Sequence, residues 1–588
     1  MFPPVSDPMT GTDVGLGRLT VEDVVRVARG FATVHDLAPE VAARMGPAAD
    51  WVAETVKAIA GAGQAGKEAR AYYGINTGFG AQAGRSALDS KYLTEVLGRN
   101  LAASHSVGVG PFFDEPVVRA ALLIRAQSMT RGVSGVRPLL PQTLIRMLNN
   151  RVYPAIPELG SLGASGDLAP FAHLALMMCA VPAPPAGEAD LQLDPTDGEA
   201  FAPATRMAPD AGGYQITQDY LTGAQSLWQR IPGKVAMQAV GGQISVQAKE
   251  ALALMNGSTF STAIAALVVR DAQNLLDTFE LCVAMTLEGI GGFRDPFYPH
   301  LHQARDHAAA EQVGARVLRY LDGSELVDPG DLRNDPQRIP PQDPYSVRCA
   351  PQVLGTFADI LALARRWVEM DINAATDNPL IFPGLERGYK AMSGGNFHGE
   401  PIAMATDFLA IGLTDLGNIS DRRMFMLTDY HPGKPHGLSE FLIDEPSRSK
   451  GLNSGLMMLQ ATAAALVSDC KTLASPDSID SIPSSANQED HVSMSLNAAR
   501  HAREIAQNIE TVAALELLCA VQAIHLQQGK PGKHALKQGA GTAAACHLIR
   551  QAGIAPLIQD RVLYPDIRRM QGLVRSGALV ASARGALC

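Results

Sequence analysis

Apolar residues recur at helical spacing along most of the chain. Thr20 precedes Val21, Val24, Val25 and Ala28, and Asp23 follows the threonine by three positions. This is an N-cap signature leading into an amphipathic stripe. Further on, Val353, Phe357, Ile360, Leu361, Ala364 and Trp367 fall on one helical face, and Val512, Leu515, Leu518 and Cys519 share a side within 510–526. Apolar runs such as the one over 263–269 are short and end in charge, so they read as buried helix. None approaches the roughly 20 apolar residues that span a bilayer. Strand-type alternation over five or more residues is scarce. The pattern predicts a mainly α protein with long packed helices.

Two stretches break the periodicity. Residues 181–233 hold Pro182, Pro184, Pro185, Pro195, Pro203 and Pro209 among scattered Asp, Glu and Gly. They read as a surface insertion, partly disordered. Residues 321–344 contain Pro329, Pro336, Pro340 and Pro341 amid acids and read as a loop. The expected division is a smaller N-terminal domain over 1–150, carrying a glycine-rich loop with a tyrosine, and a long central helical bundle over 151–588 that includes the insertion.

Charge and cysteine usage narrow the function. The formal net charge of −10 argues against nucleic-acid binding, which usually needs a basic face. The seven cysteines are widely spaced and form no C-x-x-C pair, as expected of free thiols in a reducing cytoplasm. Residues 1–14 lack Lys, Arg and an apolar core of leader length. The expectation is a soluble cytoplasmic protein with neither nucleic-acid nor membrane partners.

The most informative stretch is Gly160-Ser-Leu-Gly-Ala-Ser-Gly-Asp-Leu-Ala-Pro170. Its three glycines within seven residues demand a tight backbone. One reading is a turn before a helix, with Ser165 or Asp167 as cap. A phosphate cradle is excluded because no Gly-Lys-Ser/Thr follows, and the G-x-S-x-G spacing of a nucleophile elbow fails around Ser165. The other reading is chemical. In Ala164-Ser165-Gly166, the unhindered Gly166 nitrogen can attack the Ala164 carbonyl. Loss of that oxygen as water closes a five-membered ring. Loss of the Ser165 hydroxyl as a second water leaves an exocyclic methylene, giving an electrophile that no standard side chain provides.

Other segments accompany the tripeptide in order: Tyr72-Tyr73-Gly-Ile-Asn-Thr-Gly-Phe-Gly80, Met255-Asn256-Gly257, Gln342-Asp-Pro-Tyr345-Ser-Val-Arg348, Asn373-Ala-Ala-Thr-Asp-Asn-Pro379, Gly394-Gly-Asn-Phe397-His-Gly-Glu400 and Ala486-Asn-Gln-Glu489-Asp-His491. Together they resemble the histidine ammonia-lyase family, within the wider group of aromatic amino acid ammonia-lyases and aminomutases. The resemblance runs from Leu19 to about residue 570.

The resemblance implies an autocatalytic 4-methylidene-imidazol-5-one (MIO) made from Ala164, Ser165 and Gly166. It implies Tyr73 as the base that takes the β-proton. The unperturbed tyrosine pKa is near roughly 10, so the loop is expected to depress it with donors or positive charge. Arg348 matches the residue that pairs with the substrate carboxylate, and Tyr345 the second site tyrosine. Gln342 and Asn256 match amides that bond the carboxylate and the ring carbonyl, and Phe397 matches a residue packed against the electrophile. Ser104-His105 occupies the selectivity position, and Glu489 is the histidine-type variant of its motif. His105 suits an imidazole, although it can equally bond a phenol hydroxyl. The implied reaction is L-histidine to trans-urocanate and ammonia, in a homotetramer whose sites are shared between subunits. The alternatives are a tyrosine or phenylalanine lyase, an aminomutase of the same family, and an inactive scaffold homologue.

Two further clusters carry less. His300, His302, His307 and Asp306 lack a ligand-type spacing, and His398 and Glu400 flank Gly399 without a second pair. The proposed chemistry requires no metal, and no dinucleotide fingerprint follows a predicted strand.

Overall fold

The computed structural model describes residues 11–61, 71–83, 90–186, 191, 193–203, 214–218, 225–328, 342–386, 390–429, 437–444, 451–530 and 536–587. These are mainly helical. The first helix, Val21–Ala28, starts at a full capping box. Thr20 accepts from the Asp23 N–H while the Asp23 carboxylate accepts from the Thr20 N–H. It buries Val21, Val24, Val27 and Ala28. Val27 thus takes the place expected for Val25. In Ala350–Ile372 the buried stripe is Leu354, Phe357, Leu361, Ala364 and Val368. Three of these were expected. Val353, Ile360 and Trp367 are only half-buried, because the true seam lies slightly to one side of the predicted face. Val512, Leu515, Leu518 and Cys519 are all buried, in the 34-residue helix Ser495–Gln528.

The proline-rich stretch departs from expectation. Its described part contributes three strands to a four-stranded antiparallel sheet in the order Tyr153–Pro154, Glu199–Pro203, Gln225–Pro232, Tyr214–Gln218. An aromatic cluster anchors it. The Tyr153 ring lies 5.2 Å from that of Phe201 and 5.5 Å, edge on, from that of Trp228. Aromatic burial of this kind outweighs a proline-rich composition, and Pro203 and Pro232 sit at strand ends, where no ladder N–H is lost, while Pro182, Pro184, Pro185 and Pro195 lie outside the strands. Pro209 and residues 329–341 of the predicted loop lie outside the described residues.

Compact packing does not divide the chain at residue 150. One unit runs to Leu267 and takes in Arg365–Asp407 and Pro476–Arg500. The other comprises Val268–Ala364, Phe408–Ser475 and the chain from His501 on. The reason is local: Lys91–His105 packs against Leu168–Met178 and Glu250–Met255, which joins residues beyond 150 to those before it. Four of the five boundaries fall inside long helices, where sequence punctuation gives no sign of them; the fifth, Ser475 to Pro476, lies just past the helix Met457–Leu473.

Two helices, Glu400–Thr428 and Ser495–Gln528, are long and apolar enough to cross a membrane by length and composition. Their apolar windows are 72% and 78% buried within the protein itself. Within the second unit they also carry an ion pair with no solvent exposure, Arg423 with Glu516. The guanidinium reaches both carboxylate oxygens, and Ser420 donates to Oε2 at 2.6 Å. Such a pair stands only because its charges are mutually satisfied. Replacing Arg423 by Ala strands the Glu516 charge. We expect a loss of about 3–5 kcal/mol in denaturant unfolding, with a smaller loss in the Arg423→Met/Glu516→Leu double variant.

Candidate active site

The Gly163–Gly166 segment is a closed turn immediately before the helix Leu168–Met178. The Gly166 N–H donates to the Gly163 oxygen at 3.4 Å, with Ala164 and Ser165 at the tip. Gly166 has φ +75°, and a Cβ on it would stand 2.1 Å from the Gly257 carbonyl carbon. Only a glycine at 166 allows this approach of two backbones. The segments then interlock. The Gly257 N–H donates to the Ser165 oxygen at 3.1 Å, and the Asp167 N–H donates to the Gly257 oxygen at 2.9 Å. Asn256, at the end of Glu250–Met255, donates its side-chain amide to the same Ser165 oxygen at 2.7 Å. One carbonyl oxygen therefore takes two donors.

Asp167 stands at the N-cap position but does not cap the helix. Its buried carboxylate instead accepts from the Ser261 N–H at 2.8 Å, from the Ser261 hydroxyl at 3.0 Å and from Ser161 at 3.1 Å. Burial pushes its pKa up to about 6, against these bonds and the positive charge of Arg125. Arg125 is fully buried beside the same turn. It donates to Thr259 Oγ1 at 2.6 Å and lies over the Phe171 ring. Burial pulls its pKa down to about 10, so it remains charged at neutral pH.

The turn opens on a cavity of about 590 Å³, within the usual range for a small-molecule site. Tyr73, His105, Ala164, Ser165, Gly166, Asn256 and Glu489 all line it, and all belong to the first unit. The Ser165 hydroxyl donates to Glu489 Oε1 at 2.7 Å, and Ser484 donates to Oε2 at 2.8 Å. Glu489 is held by a tight turn in which Ser485, Ala486 and Asn487 all have positive φ. His105 shares a hydrogen bond with Ser104 through Nδ1 at 3.0 Å. Burial lowers its pKa, opposed by a contact to the Leu101 backbone and by the charge of Glu489.

Tyr73 departs from the expectation of a depressed pKa. The loop does supply a donor, the Gly80 N–H, at 3.2 Å from the phenol oxygen. Burial outweighs it and raises the pKa, and the negative charge of Glu489 raises it further. Among the described residues that line the cavity, Glu489 is the one carboxylate, and none is Lys or Arg.

The remaining predicted residues are not among those that line the cavity. Gln342, Tyr345 and Arg348 belong to the second unit. Tyr345–Arg348 is helical, Arg348 sits over the Tyr345 ring at 4.5 Å and its Nε donates to the Asp343 oxygen at 2.9 Å. Tyr345 is 70% exposed. Phe397 belongs to the first unit and is half-buried, and it is not among the residues lining the cavity. Sequence reasoning missed Ser261, Ser484 and Arg125, and gave Gly257 no role of its own. The partners of Ser261 and Arg125 are distant in sequence, so spacing carries no sign of them, while Ser484 lies five residues before Glu489 in a turn that spacing alone does not reveal. The Asn256-Gly257 pair was visible, but not its fit against Gly166.

A family model described as aromatic amino acid lyase matches residues 19–551. The histidine ammonia-lyase of Caldanaerobacter subterraneus subsp. tengcongensis is 41% identical over 564 residues, covering 95% of this chain and 96% of that protein. The crystal structure of histidine ammonia-lyase from Trypanosoma cruzi superimposes with a TM-score of 0.77 at 30% identity, covering 98% of this chain and 96% of its own. The tyrosine aminomutase of Streptomyces globisporus superimposes with a TM-score of 0.79 at 30% identity, covering 98% and 99%.

The Asp167 carboxyl yields a pH test. Its folded pKa of about 6 lies above the ordinary 3.8. The folded state therefore holds the proton more tightly between these values, and stability is lost as pH rises through them. Asp167→Asn removes that dependence. The stability of wild type relative to this variant should fall by up to about 3 kcal/mol between pH 4 and pH 7, measured by denaturant unfolding at each pH. A difference that does not change with pH would count against a buried, destabilised carboxylate.

Proposed function

The chain belongs to the aromatic amino acid lyase family, and from that premise we propose that it eliminates ammonia from L-histidine to give trans-urocanate. The observation that carries the chemistry is the closed turn at Gly163–Gly166, with its Ser165 oxygen held by two donors. The residues fit an MIO made from the chain. The Gly166 nitrogen bonds to the Ala164 carbonyl carbon, and the Ala164 oxygen leaves as water. The Ser165 hydroxyl then leaves with the Cα hydrogen as a second water. The packing of Gly257 against Gly166 supports this reading, since any side chain at 166 would push the turn open. The finished group supplies an electrophilic exocyclic carbon.

The chain's own side chains do the rest. The Asn256 amide and the Gly257 N–H hold the former Ser165 oxygen and stabilise negative charge there, as oxyanion donors do. Tyr73 takes the β-proton. Departure of the serine oxygen strips Glu489 Oε1 of its donor and frees it to accept an imidazole N–H. His105, kept neutral by burial, reads the other side of the ring. Arg348 and Gln342 hold the carboxylate, with Tyr345 beside them and Phe397 packed against the electrophile. The cavity lining of the first unit includes no Lys or Arg, while Tyr345 is exposed beside Arg348. A cation for the carboxylate therefore comes from outside the described lining, and the family resemblance supports Arg348 in that role, in a homotetramer whose copies share their sites. The six described cysteines are free, which supports a reducing cytoplasm as the place of action.

The likeness to a tyrosine aminomutase, together with the ability of His105 to bond a phenol, keeps one alternative in view. A panel of L-histidine, L-tyrosine and L-phenylalanine decides it. We expect urocanate to form and coumarate, cinnamate and β-amino acids to be absent. Intact mass should be short by two waters, and Ser165→Ala should abolish both that deficit and turnover. Absence of urocanate overturns the substrate, and an undiminished mass in active protein overturns the chemistry.

A second test uses the raised pKa of Tyr73. A base must lose its proton to act, so kcat/KM should climb with pH toward the alkaline side. Glu489→Gln removes a negative charge that holds this pKa up. The climb should therefore begin at lower pH in the variant, whatever its maximum rate. An unmoved or upward-moved limb would separate Tyr73 from the titrating base.

A further inference from the structure

Three side chains of the first unit converge beside the Glu489 loop, from two distant stretches of chain. His398 and Glu400 flank Gly399 where the helix Glu400–Thr428 begins, and His491 lies two residues past Glu489. One ligating atom from each lies within 4.8 Å of the others. The two imidazole rings are nearly parallel, 16° apart, with centroids 5.6 Å apart. Their surroundings are not those of an ordinary hydrogen-bonded cluster. His398 Nε2 and Glu400 Oε2 are buried atoms without a hydrogen-bond partner among the described residues. Leaving such atoms unmet costs free energy that folded proteins seldom tolerate without a reason. His491, exposed, engages the Ser481 hydroxyl through Nδ1 at 3.2 Å; with Nδ1 as the donor, Nε2 carries the lone pair that a metal takes. A hydrogen bond on the far ring nitrogen is the usual support of a metal-ligating histidine.

We propose that His398, Glu400 and His491 bind one divalent transition-metal cation of the zinc class. Two imidazoles and one carboxylate are a donor set for such an ion, with the remaining positions open to water. Mg²⁺ and Ca²⁺ prefer all-oxygen sets and fit poorly. Metal–ligand distances of about 2.0–2.2 Å place tetrahedral donors about 3.3 Å apart. Binding thus draws the three side chains together by up to about 1.5 Å. Gly399 ties the two upstream ligands to a fixed place, since a Cβ there would stand 2.4 Å from Ser495 Oγ. The movable partner is His491, on the same stretch as Glu489. The ion clips that stretch to the start of the helix and fixes the reach of Glu489 from behind. The pair at 398 and 400 was visible in the sequence, and the third ligand was not, because only folding brings residue 491 to it.

The test needs no turnover. Full-length protein, stripped with chelator and desalted, is titrated with Zn²⁺ by calorimetry and with Co²⁺ by visible absorption. We expect one equivalent per chain and a Co²⁺ spectrum of nitrogen and oxygen ligation. His398→Ala and the near-isosteric Glu400→Gln should each weaken binding roughly tenfold or more, with far-ultraviolet circular dichroism checking that each variant folds. Zn²⁺ should raise the thermal midpoint of wild type but not of Glu400→Gln. Failure of wild type to take up a stoichiometric ion overturns the proposal. So does uptake unchanged in Glu400→Gln, and so does a Co²⁺ spectrum of thiolate ligation, which would place the ion on cysteine.

Discussion

The contact between the backbones of Gly166 and Gly257 is the constraint on which the site depends. Two chain segments meet with no side chain between them. That closeness lets the Gly257 N–H and the Asn256 amide reach one carbonyl oxygen from adjacent positions. It also holds the turn bent without help from a substrate. A geometry fixed by backbone contact costs no reorganisation when the reaction occurs, which is how fixed dipoles accelerate chemistry.

Charge buried beneath the turn braces it. Asp167 ties the turn to the first residues of Thr259–Ile290 through Ser261. Arg125 ties the Thr259 end of the same helix to Phe171, on the helix that follows the turn. Both groups are penalised by burial. Burying polar groups at a cost in stability is reasonable where position matters more than stability, as at reactive sites. Arg423 and Glu516 serve the second unit in a comparable way, joining two long helices with a pair hidden from solvent.

Much of this was legible in the sequence because it is local. The Thr20 cap, the helical stripes and the glycine pattern around Ser165 depend on neighbours a few positions away. The motifs that hold Tyr73, His105, Asn256 and Glu489, which line one cavity, lie far apart, but the family resemblance carries their arrangement as a block. What failed depended on partners far along the chain. The sheet made from the proline-rich stretch needs Tyr153, Phe201 and Trp228 together, and no window of sequence shows all three. The unit boundary at Leu267 lies inside a helix, where no punctuation marks it. The pKa of Tyr73 misled for another reason. The loop chemistry was read correctly, but how deeply the phenol is buried, and its nearness to Glu489, follow only from the folded cavity.

Ser485, Ala486 and Asn487 have a consequence beyond holding one carboxylate. Three successive residues in the left-handed region, none of them glycine, make a strained hook that persists because the hydrogen bonds between Ser484 and Glu489 close it. In the proposed reaction, the group that reads the substrate ring thus hangs on a separate part of the chain from the turn at Gly163–Gly166. Variation at the hook can reset which ring is accepted while the engine stays as it was. One scaffold can then diversify its diet without reinventing its chemistry.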